Sequence, residues 1–171
     1  MLIVCTQDKE IRRADVQTKS WGTVTVLPAG GQEKASEVFK RTLMTLRNGE
    51  PLCISAHGND SEIGDSSPEM WRWSYQAVAL MLSEPIKKNA IPSAIFISAC
   101  GRSVANFSTQ LVVELGKLLY TDDSALPNVW VYGYNNDISS AQQIPSPDQL
   151  DELLRTDFGL QVTNIGRPSR R

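Results

Sequence analysis

The sequence predicts an α/β sandwich, three layers deep, built on a mostly parallel sheet. Short apolar runs rich in β-branched residues recur along the chain, and the longer stretches between them place apolar residues at helical spacing. Connections of that length suit crossovers between parallel strands, whereas antiparallel neighbours need only a tight turn. No internal repeat and no linker rich in Pro, Gly or Ser divides the chain, so 1–171 reads as a single domain.

In order, Met1–Cys5 reads as a short buried strand and Thr23–Pro28 as a second, ended by Ala29-Gly30-Gly31. From Glu33 to Arg47 the residues Ala35, Val38, Phe39, Leu43 and Leu46 keep helical spacing until Asn48-Gly49 ends the pattern. Leu52–Ala56 is the third strand, and the polar stretch Asn59–Ser67 a loop. Ser67 followed by Pro68 predicts a helix start, with Trp71, Tyr75, Val78 and Leu82 on one face and an end near Pro85. Ala94–Ala99 is a strand, and Val104, Phe107, Leu111, Leu115 and Leu118 mark another amphipathic helix. Asn128–Tyr134 is the next strand. The core then spans about 1–137, and 138–171 is less regular. There, Ser146-Pro147-Asp148-Gln149 opens a short helix to about Arg155 with a capping-box pattern, and FGLQV makes an edge strand.

At 171 residues the chain can bury a core without staples, and 41% hydrophobic with 21% charged residues is ordinary globular composition. A net charge of −2 and a pI near 5.4 argue against a nucleic-acid surface, which needs a concentrated basic face. Only the closing GRPSRR is locally basic, and it reads as a frayed, solvated end. No apolar run approaches bilayer length, and MLIVC is too short for a secretory signal, so the expectation is a cytoplasmic protein with no membrane contact. Three widely spaced cysteines, Cys5, Cys53 and Cys100, suit free thiols in a reducing compartment. With one histidine and no paired-cysteine spacing, neither a metal site nor a cofactor is expected.

Chemistry concentrates at two strand ends. The single histidine, His57, closes the run PLCISAHG, and Cys100 closes SAIFISACG. In a parallel sheet both runs finish at the same edge, which brings an imidazole and a thiol together. Cys100 is expected between its strand and a helix starting near Ser103 or Val104, whose N-terminus would favour the thiolate. Gly58 carries no side chain, so its N–H and that of Cys100 could cradle a developing oxyanion. Cys5 and Cys53 lie inside apolar runs and read as small buried hydrophobes.

SAHG and ISAC together resemble the paired motifs of the caspase-like (clan CD) cysteine peptidases, in which one strand ends in His-Gly and the next in Ala-Cys. The order, with His57 before Cys100, and the rough spacing agree with that arrangement. In motif the chain is most similar to CHAT domains, whose nucleophile follows Ser-Ala; here the stretch is Ser98-Ala99-Cys100-Gly101-Arg102-Ser103. Gly101-Arg102-Ser103 stands where Glu-Thr-Gly often follows the CHAT cysteine, and no helical repeats accompany the domain. The resemblance implies a caspase-like fold over about Met1–Asp137, with His57 as general acid/base, Cys100 as nucleophile, and Gly58 with Cys100 as oxyanion donors. It requires no third residue to hold the histidine.

It also implies that the loop after the strand following the cysteine, Tyr134 to Asp137, lines the pocket for the residue before the scissile bond. A buried carboxylate at Asp137 would then select arginine or lysine. Asp60, in the acidic loop beside His57, would help attract such a side chain, and Ser98 completes the expected substrate-binding set. Trp71, Trp73 and Tyr75 are expected mainly in the core, with at least one exposed as a partner surface.

The leading expectation is a cysteine endopeptidase acting on protein or peptide, cleaving after a basic residue. The alternative is a caspase-like interaction or regulatory module whose proteolysis is absent or depends on a regulatory protein partner. A third reading is a small α/β hydrolase or ligand-binding domain that uses the same strand ends for a non-peptide substrate.

Overall fold

Strands paired in parallel must be covered on both faces, and the apolar runs of this chain supply residues for both. The computed structural model describes residues 1–67, 69–121, 125–156 and 159–166. In chain order the elements are β1 (Leu2–Val4), α1 (Lys9–Val16), β2 (Val24–Val26), α2 (Gly31–Leu43), β3 (Leu52–Ser55), β4 (His57–Gly58), β5 (Glu62–Gly64) and β6 (Arg72–Ser74). There follow α3 (Tyr75–Lys87), β7 (Ala94–Ser98), α4 (Phe107–Leu119), β8 (Trp130–Tyr134), α5 (Leu150–Leu153) and β9 (Leu160–Asn164).

Six strands form the central sheet in the order β2-β1-β3-β7-β8-β9, and β4-β5-β6 form a small antiparallel sheet. Every pairing in the central sheet is parallel except β8 with β9. Alternation along the strands divides the core in two. Ile3, Ile54, Ile95, Ile97 and Val131 face α2, α3 and α4, whose Phe39, Leu82 and Leu111 they meet in one cluster. Leu2, Val4, Cys53, Phe96 and Tyr132 face the other way, onto Ile11 of α1 and Leu150 of α5. The protein is therefore a three-layer α/β sandwich.

The strand order explains why α1 lies alone among the crossover helices. The chain steps from β1 to β2 in one direction and returns past β1 to β3, β7 and β8 in the other. Right-handed crossovers then place α1 on one face and α2, α3 and α4 on the opposite one. This reversal opens a crevice at the carboxyl ends of β1 and β3, the usual position of a site in such sheets.

The structure departs from the sequence reading between His57 and Ser74. The stretch expected to be a loop, Asn59–Ser67, contains β5, and the helix expected from Ser67 begins only at Tyr75. Ser74 is its cap, accepting the Ala77 N–H, while Pro68 lies outside the described residues. Trp71 and Trp73, two residues apart, both turn inward and are buried at 1% and 3% exposure, so neither offers a surface. Their indole N–H groups donate to the Cys5 carbonyl and the Ser36 hydroxyl, which fastens the small sheet to β1 and α2. Helix α1 was not anticipated.

The C-terminal expectations fare better. A 3-10 turn at Pro147–Gln149, with the Ser146 capping box present, leads into α5, and β9 lies antiparallel at the sheet edge. Phe158 and the terminal 167–171, including the expected frayed end, lie outside the described residues. Among the described residues no helix is long and apolar enough to cross a membrane.

Candidate active site at the ends of β1, β3 and β7

Strands β3 and β7 are adjacent and parallel, with Ser55 opposite Ser98. The pairing continues one step further, where the Ala56 N–H donates to the Ser98 carbonyl at 3.1 Å. His57 and Cys100 each stand two residues past this register pair, and both line a small cavity between the strand ends. The structure thus places on one cavity the two residues that the motifs singled out.

His57 is held from two sides. It pairs with Gly64 in the antiparallel ladder of β4 and β5, so its backbone belongs to a sheet rather than a free loop. Its Nε2 lies 3.0 Å from Asp8 Oδ2. A carboxylate can only accept, so Nε2 carries a hydrogen, and in the neutral ring the lone pair then lies on Nδ1. The other oxygen of Asp8 accepts the N–H groups of Glu10 and Ile11 at 2.8 and 3.3 Å, which makes Asp8 the N-cap of α1. Burial pushes the Asp8 carboxyl up, but the bonds from His57, Ile11 and Glu10 outweigh it and hold the pKa below the ordinary value. Asp8 is thus a charged partner for an imidazolium, and the sequence reading named no such residue.

Cys100 is half-buried, in contrast to the fully buried Cys5 and Cys53. Burial, with Asp15 adding to it, pushes both of those thiols up and keeps them protonated. The Cys100 Sγ accepts the Ile138 N–H at 3.4 Å and lies 3.6 Å from the Ile138 carbonyl oxygen. The expected support from a helix N-terminus is absent at this position. Helix α4 begins at Phe107 under an Asn106 cap, and a turn of intervening residues separates it from Cys100.

The residues after each motif explain its glycine. A Cβ on Gly101 would lie 2.1 Å from the Tyr134 carbonyl oxygen, so the end of β8 passes too close for any side chain. A Cβ on Gly58 would meet the Ala99 side chain and the Glu62 carbonyl at 3.0 Å each, so the space beside Gly58 is already occupied by protein. Its N–H is a separate matter. Asn59 N–H donates to Glu62 O, and the alternation of an antiparallel ladder then turns the Gly58 N–H away from β5. The Cys100 N–H takes no acceptor among the described residues.

No family model matches the chain, nor does any curated protein or solved structure. The site is therefore read from its own geometry.

The three expected substrate-binding residues are placed differently from one another. Ser98 is buried and lines the cavity with Cys100. Asp60 is engaged on both oxygens, accepting the Arg102 N–H at 2.7 Å and the Ser103 hydroxyl at 3.0 Å. With the Gln110 amide on its carbonyl as well, Asp60 ties the His57 hairpin to the turn after Cys100. Asp137 is not the buried carboxylate expected, because its side chain is 73% exposed and pairs with Arg102 at 3.9 Å. It follows β8 into solvent, while Ile138 turns back over Cys100.

An acidic group does reach the cavity, from α1. Asp15 is 2% exposed, lines the cavity with Ile11, Ser55 and Cys100, and leaves its Oδ2 without a hydrogen-bond partner. Burial raises its pKa to about 6, against a smaller opposing effect of the Ser55 hydroxyl. Asp8 and Asp15 are the two site residues that sequence reasoning missed. The available signal was Asp8 itself, a helix-capping residue three positions before the apolar Ile11. Among the described residues no group of three His, Cys, Asp or Glu side chains is placed to hold a metal ion.

Proposed function

We propose that this protein is a cysteine endopeptidase of the caspase-like kind, working in a reducing, cytoplasmic setting. The observation that carries the reading is that His57, fixed by Asp8, and Cys100 line one cavity from matched positions beyond β3 and β7. In the reaction the Cys100 sulfur attacks a peptide carbonyl carbon while His57 Nδ1 takes the thiol proton. Asp8 stabilises the imidazolium that forms, and the N–H groups of Gly58 and Cys100 receive the oxyanion. His57 then returns the proton to the leaving amine, and water assisted by the same imidazole hydrolyses the thioester. Free acid, amine and thiol result, with no net change at the enzyme.

Timed alkylation with iodoacetamide, read by peptide mass spectrometry, tests this. Cys100 should react well ahead of Cys5 and Cys53, and His57→Ala should slow it at neutral pH. A Cys100 rate that His57→Ala leaves unchanged would sink the dyad.

One feature favours a second reading, in which cleavage waits on a protein partner. The cavity holds only about 30 Å3, and Ile138–Ser140 form part of its wall. Ser140 is fastened to Glu10 of α1 by a hydrogen bond of 2.5 Å. A chain resting in this state would act as a regulatory module until the loop is lifted. Peptide turnover that appears only when a partner is added would support it.

A further inference from the structure

We propose that Asp15 is the specificity-determining residue of this site, its carboxylate receiving the guanidinium or ammonium of an arginine or lysine that precedes the scissile bond. This inference rests on the peptidase reading of Cys100 and His57.

A buried carboxylate oxygen without a partner is uncommon, because burial removes water and nothing has replaced it. The position makes the cost greater. Asp15 lies in the last turn of α1, where the helix dipole opposes negative charge. Local stability thus gives no reason for an acid here, and an apolar residue would continue the inward stripe begun by Ile11. A cation entering the cavity would supply what the carboxylate lacks, and a desolvated, hydrogen-bonded pair is among the stronger interactions available to a protein.

The surroundings suit a cation with several donors. Ser55 and Ser98, both buried, line the same cavity, as does Gln142. Cys100 lines it too, so a side chain reaching Asp15 belongs to a residue whose carbonyl can lie beside the sulfur. The acidic selector expected at Asp137 is supplied instead from α1. At about 30 Å3 the cavity admits a water and not a guanidinium, so the loop from Ile138 to Gln142 moves outward when substrate enters. The Ser140–Glu10 bond and the Ile138 contact with Cys100 are what that movement breaks.

The test has a binding arm and a labelling arm. Agmatine, with N-butylurea as neutral control, is titrated calorimetrically into Cys100→Ala and into the same variant carrying Asp15→Asn. Binding of agmatine alone, lost with Asp15→Asn, supports the proposal; no binding to Cys100→Ala, or binding that survives Asp15→Asn, overturns it. In the second arm, peptidyl acyloxymethyl ketones ending in Arg or Leu compete for Cys100 of the otherwise native chain. The Arg compound should label at least tenfold faster, and Asp15→Asn should bring the two rates near parity. A preference for Arg unchanged in Asp15→Asn overturns the assignment and leaves the peptidase reading intact. If neither ketone labels Cys100 while agmatine binding still depends on Asp15, the peptidase reading falls and the cation site stands.

Discussion

Replacing Asp15 by Asn should change how stability depends on pH, in a direction fixed by its burial. The folded carboxyl has a pKa of about 6 against an ordinary value of 3.8. A proton held that much more tightly in the folded state corresponds to roughly 3 kcal/mol between the two limits. Because the folded value is the higher one, this stability is fully present below about pH 4. It declines as pH rises toward 6 and is gone above it. The variant has no carboxyl to titrate, so its stability relative to the native chain should improve by about 3 kcal/mol from pH 4 to pH 7.5. The new amide also needs partners and introduces its own cost of about 1–3 kcal/mol, but that offset is the same at every pH. The groups facing Asp15 do not obscure the comparison. Ser55 does not titrate, the Cys5 and Cys53 thiols stay protonated, and His57 is common to both proteins. Urea unfolding followed by tryptophan fluorescence, with Trp21, Trp71 and Trp73 all buried reporters, gives the two curves. Parallel curves over this range would refute the reasoning.

Two further substitutions probe the frame of the site. Asp8→Asn keeps a side-chain oxygen to cap α1, so stability should change by less than about 1 kcal/mol. Its loss of charge should slow Cys100 alkylation by more than about tenfold at neutral pH and move the pH profile, which a purely structural cap would not do. Gly101→Ala places a Cβ against the Tyr134 carbonyl, and the forced backbone shift should cost about 1–3 kcal/mol in urea unfolding. Unaltered stability in that variant would mean that β8 yields more easily than its packing implies.

The parts of the fold that could be read in advance are those whose burial is written as continuous apolar runs. β1, β3, β7 and β8 are of this kind, and so are α2 and α4, whose Phe39 and Leu111 stripes point one way. The missed elements hide their burial. Helix α1 has only Ile11 and Asp15 buried, so half of its inward stripe is a carboxylate and apolar periodicity is blind to it. Trp71 and Trp73 alternate with a period of two, as a strand requires, but Trp71, Tyr75 and Val78 also fit a helix, and the nearby Ser67-Pro68 favoured the wrong choice. The placing of His57 and Cys100 on one cavity was legible because each stands just past the matched ends of neighbouring strands. Their companions were not, because they belong to a helix that enters from the other side of the sheet.

That helix ties two duties together. Asp8 caps one end of α1 and Asp15 sits in its final turn, roughly 10 Å apart along a stiff rod. A pull on one end is felt at the other. On the proposed reading, a cation seated against Asp15 would bear on the same helix that holds Asp8 against His57, which would couple recognition to the position of the imidazole. Lengthening α1 by even a single residue would rotate one carboxylate about 100° relative to the other, and an engineer seeking a new specificity here would have to leave its length alone.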